Sequence, residues 1–268
     1  LLDTYGFPYD LTELIARENN LKIDKKEFDE YLEMQRVRSR SSIKHSSNDW
    51  VIVNEKLNTN FVGYEKSEYE AVIIKYREVI IDKIRKFHIV FNNTPFYPES
   101  GGQVGDKGFI IYDNEKINIE DTFKENDLII HLTSSLPKKL NIKFSLLIDD
   151  ERRKLITKNH SATHLLHSAL KEVLGSHISQ KGSLVNDKVL RFDFSHFSKI
   201  SNDELNEVSD IVNKKIFENI PVEIIKDVPI KKAKHMGATA LFGEKYGDKV
   251  RVVIIDKDFS IELCGGTH

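Results

Sequence analysis

Cysteine is nearly absent: one residue in 268. No internal disulfide can form, which points to a reducing compartment. Long apolar runs are missing as well. None approaches the roughly 18 residues that a membrane-spanning helix needs. There is no initiator methionine, and no basic-then-apolar segment that would read as a secretory signal. Both termini are therefore expected to be cuts within a longer chain. Charge of one sign is also lacking, with 40 Lys and Arg against 42 Asp and Glu, a net charge of −2. That balance excludes a general, charge-driven nucleic-acid binder but leaves room for a specific RNA held by a local patch. No internal repeat is present.

What remains is the composition of a soluble globular protein, 40% hydrophobic and 31% charged, long enough for about two domains. Residues 1–50 read as helices followed by a linker. Asp10 and Glu13 suggest one helix start, and Asp24 and Glu27 a second. The second carries Phe28, Tyr31, Leu32 and Gln35 and ends in Arg36, Arg38 and Arg40. Those cations suit a helix C-terminus, and a phosphate contact is the sharper alternative. Residues 41–49 are rich in Ser, Asn and His and read as the linker.

Residues 51–148 change to β. Ala71–Tyr76, Phe87–Phe91, Phe109–Tyr112, Leu128–Leu132 and Ile142–Ile148 are short, β-branched and punctuated by turns. They predict a small antiparallel β-barrel-like subdomain. From 149 to 268 helix and strand mix. A long helix is expected over 150–174. A second follows Ser201, which forms a capping box with Glu204. Strands are expected near Val189–Phe194, Val222–Ile225, Val250–Ile255 and Phe259–Leu263. The fold class is α+β, its last part a core of helices packed on an antiparallel sheet.

Four residues at the two ends of that core carry the chemistry. His160 and His164 lie one helical turn apart, so both imidazoles share a face. Cys264 and His268 flank two glycines, Gly265 and Gly266, which let the backbone turn tightly. Imidazole and thiolate together are ligands of Zn2+. On a helical wheel Leu155, Ala162, Leu166, Ala169, Leu170 and Val173 fall on one side. His160, Thr163, His164 and His167 fall on the other, so a solvent-exposed polar face is the plain alternative. The zinc-protease reading fails because Ser161 stands where that motif needs a glutamate. A second motif, Phe96–Asp106, is rich in glycine. It fits a tight hairpin, or a loop whose bare backbone approaches a ligand.

Five motifs resemble the alanyl-tRNA synthetase family in order and span the chain. They are Leu2–Pro8, Phe96–Asp106, Asn159–His167, Leu190–Phe194 and Cys264–His268. The resemblance implies the end of the tRNA-recognition helices followed by an editing domain truncated at its C-terminus. Such a domain hydrolyses tRNA(Ala) mischarged with serine or glycine. A synthetic pocket shaped for alanine admits the smaller glycine and poorly rejects a serine that adds one hydroxyl, so a second site is needed. The resemblance further implies zinc on His160, His164, Cys264 and His268. Thr163 and Gln180 match positions linked to the editing pocket. Without the family, Gln180 reads as an exposed loop residue. Expected partners are tRNA(Ala) and its mischarged forms, with no membrane, and the expected location is the cytoplasm. ATP and Mg2+ would serve only the ligase core of the parent enzyme, which nothing here resembles. Lys231, Lys232, Lys234 and His235 are a candidate phosphate contact or a solvated helix face. A tRNA-docking module with a purely structural zinc, or a free-standing editing protein, is the alternative.

Overall fold

The computed structural model describes residues 9–19, 21–32, 46–55, 58–240 and 247–268. Contacts divide the chain into two compact units, one of residues 1–46 with 80–84, the other of residues 47–79 with 85–268. In the first, helix α1 spans Tyr9–Glu18 and residues 25–32 form α2. Asp24 caps α2, its carboxylate accepting from the N–H groups of Lys26 and Glu27 at 2.8 and 3.1 Å. The cap expected at Asp10 is not one. Tyr9 and Asp10 are both already helical, so Asp10 is not a flanking cap residue. The rings of Tyr9 and Phe28 meet at 4.7 Å. The Leu2–Pro8 motif, Gln35, the cluster of Arg36, Arg38 and Arg40, and linker residues 41–45 lie outside the described residues.

After short strands at Val51–Ile52 and Asn60–Phe61, the main sheet has strands β1 (Glu68–Ala71), β2 (Ile73–Ile81), β3 (Ile84–Phe91), β4 (Gly108–Tyr112), β5 (Glu115–Glu125), β6 (Leu128–Thr133) and β7 (Phe144–Ile148), all in the second unit except residues 80–84. Their spatial order is β2-β3-β6-β5-β4-β7-β1. The pairings of β6 with β3 and β5, of β4 with β5 and β7, and of β7 with β1 are all antiparallel. The hydrogen-bonded path does not close on itself, so the expected barrel is an open sheet. Ala71–Tyr76 is two strands rather than one. Asn92 interrupts it: the Val72 N–H donates to the Asn92 side chain at 2.9 Å, and the Asn92 N–H donates to the Val72 carbonyl. Along β4 and β7 buried and half-buried positions alternate, as strands with one face on a core require. Ile73, Ile89, Phe91, Phe96, Ile110, Phe144 and Leu146 form that core. Each fully buried side chain contributes roughly 1.5–3 kcal/mol.

The rest of the unit runs α3 (Asp150–Leu174), β8 (Gln180–Val185), β9 (Leu190–Phe194), α4 (Asn202–Phe217), β10 (Glu223–Pro229), α5 (Ile230–His235), β11 (Lys249–Ile255) and β12 (Ser260–Leu263). Strands β8 and β9 form an antiparallel hairpin, and β10, β11 and β12 an antiparallel sheet in that order. Asp149 caps α3 by accepting from the Arg152 N–H, and the helix ends at Gly175, whose φ of 110° stops it. The capping box of Ser201 and Glu204 opens α4. Ala169, Leu170 and Ile178 pack with Val208 of α4 and with Phe192 and Phe194 of β9. Leu165 meets Val253 and Ile255 of β11. The architecture is α+β. Among the described residues no helix is long and apolar enough to cross a membrane.

One buried ion pair joins α3 to the first sheet. Arg153 binds Asp106 through Nε at 2.9 and 3.0 Å and through Nη2. It also donates to the carbonyls of Gly63 and Pro95 at 2.8 and 3.1 Å. Removing one partner of such a pair leaves an uncompensated charge, so Arg153→Met should lower unfolding free energy by about 3–5 kcal/mol in denaturant titration. A variant within about 1 kcal/mol of the parent would contradict this account.

His131 supplies a pH prediction. Its ring is fully buried, with Nδ1–H donating to the Ile89 carbonyl at 3.1 Å and Nε2 facing the Thr94 hydroxyl at 2.7 Å. Burial lowers its pKa from 6.5 to about 4. Between those values the unfolded chain binds a proton that the folded chain does not, so stability falls as pH drops through that window. His131→Gln should make the fall shallower, by up to about 1.4 kcal/mol per pH unit, in denaturant midpoints measured across it.

Candidate metal centre

The polar face of α3 is buried, not exposed. His160, Thr163, His164 and His167 are each at most 5% accessible, whereas Leu155 on the apolar side is 47% accessible. Further along, Ala169 and Leu170 on the apolar side are buried too, so the later turns are covered on both sides, and the C-terminal segment covers the polar one. One ligand atom from each of His160, His164, Cys264 and His268 lies within 4.8 Å of the others. Nε2 of His160 is 3.4 Å from the Cys264 sulfur, and Nε2 of His268 is 3.3 Å from it. A tetrahedron built on three Zn–N bonds and one Zn–S bond has edges of about 3.3–3.6 Å.

Three further observations fit a cation. Nδ1 of His164 is buried with no hydrogen-bond partner, the state of a ligand atom facing an ion. Burial, with the neighbouring rings, holds the imidazoles neutral: His160 is lowered to about 3, and His164 and His268 are lowered too. Neutral imidazole is the ligating form. Finally, the Gly266 N–H donates to the Cys264 sulfur at 3.3 Å, which favours a thiolate.

The outer nitrogens of the rings meet polar groups, as ligating histidines require. Nδ1 of His160 is 2.7 Å from Oε1 of Gln103. Nδ1 of His268 is 3.1 Å from the Ser161 hydroxyl. Nε2 of His164 is 3.7 Å from the Glu262 carboxylate, which also binds Nδ1 of His167 at 2.9 Å. Burial pushes the Glu262 carboxyl up, but His164, His167 and Lys171 together bring its pKa below the ordinary value.

The loop of 264–268 is shaped by close contacts. A Cβ at Gly266 would lie 2.1 Å from the His160 ring, so only glycine fits there. Arg251 donates to the carbonyls of Cys264 and Gly266 at 2.9 Å each. The Tyr64 hydroxyl donates to the Gly265 carbonyl at 2.6 Å.

Beside this cluster is a cavity of about 500 Å³. Its wall includes His160, Thr163, Gln180, Lys249, Arg251 and Cys264. Gln180 therefore opens a strand and faces the cavity rather than standing in an exposed loop. A second cavity, of about 420 Å³, lies where Arg153, Thr157, Thr267 and His268 meet. The lysines of α5 and His235 are exposed and line neither cavity. Among the glycines of Phe96–Asp106, close approach is mainly to protein. A Cβ at Gly102 would meet the Ser183 hydroxyl at 2.1 Å, and one at Gly105 the Thr122 carbonyl at 1.9 Å. Gly101 alone of them borders the larger cavity.

Glu262, Arg251 and Tyr64 were not singled out from sequence. A lone carboxylate inside the apolar strand before Cys264 was the available signal for Glu262. For Arg251 and Tyr64 there was none.

A family model described as tRNA synthetases class II (A) matches residues 1–151, more than half of the chain. The chain belongs to the class II tRNA synthetases. Within them it belongs to the alanine–tRNA ligase family. It is 52% identical over its whole length to the alanine–tRNA ligase of Cytophaga hutchinsonii, covering 31% of that protein. It is 49% identical to that of Bacteroides fragilis, covering 30%, and 47% identical to that of Christiangramia forsetii, covering 31%. The chain thus spans about a third of the length of these relatives. The four-residue cluster lies beyond the residues that the family model matches, in the part that the relatives alone cover.

Zn2+ titrated into the chain should bind at one ion per chain and raise the thermal midpoint. At free zinc of about 100 times Kd the gain is about 2.7 kcal/mol. His164→Ala should remove the gain, and failure of the parent chain to bind would refute the metal fit.

Proposed function

We propose that this chain is the editing region of an alanyl-tRNA synthetase, hydrolysing the ester of tRNA(Ala) carrying serine or glycine. The observation that carries the reading is the shared cavity wall. His160 and Cys264 of the metal cluster line the same space as Thr163 and Gln180. A small polar cavity against a metal centre suits the aminoacyl end of a tRNA.

His160, His164, Cys264 and His268 would hold Zn2+, which supplies an electrophile for a hydroxyl or ester oxygen, or lowers the pKa of a bound water towards about 7. The remaining work falls to side chains. The Thr163 hydroxyl donates to the Asn159 carbonyl at 2.8 Å, so towards the cavity it offers lone pairs. A seryl hydroxyl can donate to them, and an alanyl methyl cannot. Gln180 donates to the Ser183 hydroxyl at 3.2 Å, keeping its carbonyl for an ammonium or hydroxyl. Lys124, Lys249 and Arg251 on the wall bring positive charge to a phosphate-bearing substrate. In the longer protein, a ligase core using ATP and Mg2+ would charge tRNA(Ala) with alanine, in the cytoplasm.

A tRNA-docking module with a structural zinc is the second reading. It is favoured by the ligand count, since four protein ligands close a tetrahedral site. Deacylation of Ser-tRNA(Ala), with Ala-tRNA(Ala) as control, separates the two. Selective hydrolysis of the seryl ester is expected. Thr163→Val should slow it about five- to tenfold, the loss of one hydrogen bond. Gln180→Trp should slow it at least about tenfold without loss of zinc. Unchanged rates in both variants would remove them from the pocket, and a zinc-loaded, inactive parent chain would favour docking.

A further inference from the structure

The glycine-rich stretch Phe96–Asp106 has no part in the proposed chemistry, yet Gln103 from its centre reaches the metal cluster. Its side chain is fully buried. The turn that carries it is closed by two backbone hydrogen bonds between Ser100 and Gln103, of 3.1 and 3.0 Å. It is locked to β8 by two more, Val104 N–H to the Val185 carbonyl and Val185 N–H to the Gly102 carbonyl, at 3.0 and 2.8 Å.

Three groups converge on the Gln103 amide oxygen: the Thr267 N–H at 3.0 Å, the Thr267 hydroxyl at 3.2 Å and Nδ1 of His160 at 2.7 Å. A backbone N–H can only donate. The atom it faces must be the oxygen of the amide, which fixes which way the amide points. That oxygen can only accept, so Nδ1 of His160 must carry the hydrogen. In neutral imidazole Nε2 then keeps its lone pair. Nε2 is the atom that faces the Cys264 sulfur at 3.4 Å. The Thr157 hydroxyl donates to the Thr267 hydroxyl at 3.0 Å, so this chain of donors also runs towards Oε1.

We propose that Gln103 is a positioning residue that fixes the tautomer of His160 and ties it to Thr267, presetting Nε2 and the 264–268 loop for a divalent metal. The inference rests on the metal site proposed above. One oxygen bridges two segments that supply ligands from opposite ends of the core. Retaining an amide here has a cost, because the Gln103 Nε2 is buried with no partner. Such an orphaned group costs about 1–3 kcal/mol, which an apolar side chain of the same length would avoid. The acceptor is what the apolar residue could not supply.

Long-range proton–nitrogen correlation spectra of the metal-stripped, histidine-labelled 268-residue chain read the tautomer directly. His160 should carry its hydrogen on Nδ1. Gln103→Met should abolish that preference and weaken Zn2+ binding about 10- to 100-fold in chelator competition. Gln103→Glu, which keeps an acceptor in place, should restore the tautomer and return affinity to within about fivefold of the parent. A purely structural glutamine would leave the affinity of a folded Met variant unchanged, and that result overturns the proposal. So does a hydrogen on Nε2 in the parent chain, a result that needs no variant to fold. A parent chain with the Nδ1 hydrogen but no zinc affinity would instead refute the metal site.

Discussion

Each buried polar side chain of helix α3 needs a partner, and this constraint organises the second unit. Helix α3 buries Arg153, His160, Thr163, His164 and His167. An unpaired buried polar group costs about as much as several ordinary contacts contribute. The partners come from separate parts of the chain. Asp106 and Gln103 belong to the glycine-rich stretch, and Glu262 to β12. Thr163 is satisfied within the helix itself. What docks the two sheets onto the helix is therefore a set of directional bonds as much as apolar burial. Directional bonds also fix register, so the geometry of the histidines follows from the docking.

Local features of the core were legible because local rules govern them. The length of α3 follows from its caps at Asp149 and Gly175, and the start of α4 from the box of Ser201 and Glu204. The pairing of His160 with His164 needs only the helical period. Features that depend on distant partners were not legible. Strand β5 carries charge at Glu115, Lys116, Glu120, Asp121 and Lys124, and that density hid the buried alternation of Ile117 and Ile119. Strand β8 opens on Gln180, Lys181 and Gly182, poor strand residues held by the hairpin with β9. Arg153 sits in a run with Arg152 and Lys154 that looks solvated, and only Asp106, 47 residues away, makes it a buried ion.

The same reasoning explains why the helical wheel alone leaves a solvent-exposed face as the plain reading of α3. A helical wheel separates apolar from polar side chains, and the polar side is ordinarily the wet one. Here the covering surface is itself polar: Gln103, Glu262, Thr267 and the Cys264–His268 loop. A wheel cannot see complementarity supplied by another segment. The signal that pointed beyond it was chemical, the thiolate and imidazole of Cys264 and His268 matching the first pair of histidines.

The glycine-rich stretch and the metal cluster then read as one construction. Gly102 and Gly105 let the loop press against Ser183 and Thr122, which carries Gln103 and Asp106, three residues apart, to His160 and Arg153 of α3. Gly266 performs the matching task on the other side, admitting the His160 ring where any Cβ would collide. The ring is thus held between an acceptor on one side and bare backbone on the other. Its Nε2 is left towards Cys264, with the cavity wall continuing to Thr163 and Gln180. Glycine at these three positions creates room for protein to approach protein, and the approach is what places the reactive groups.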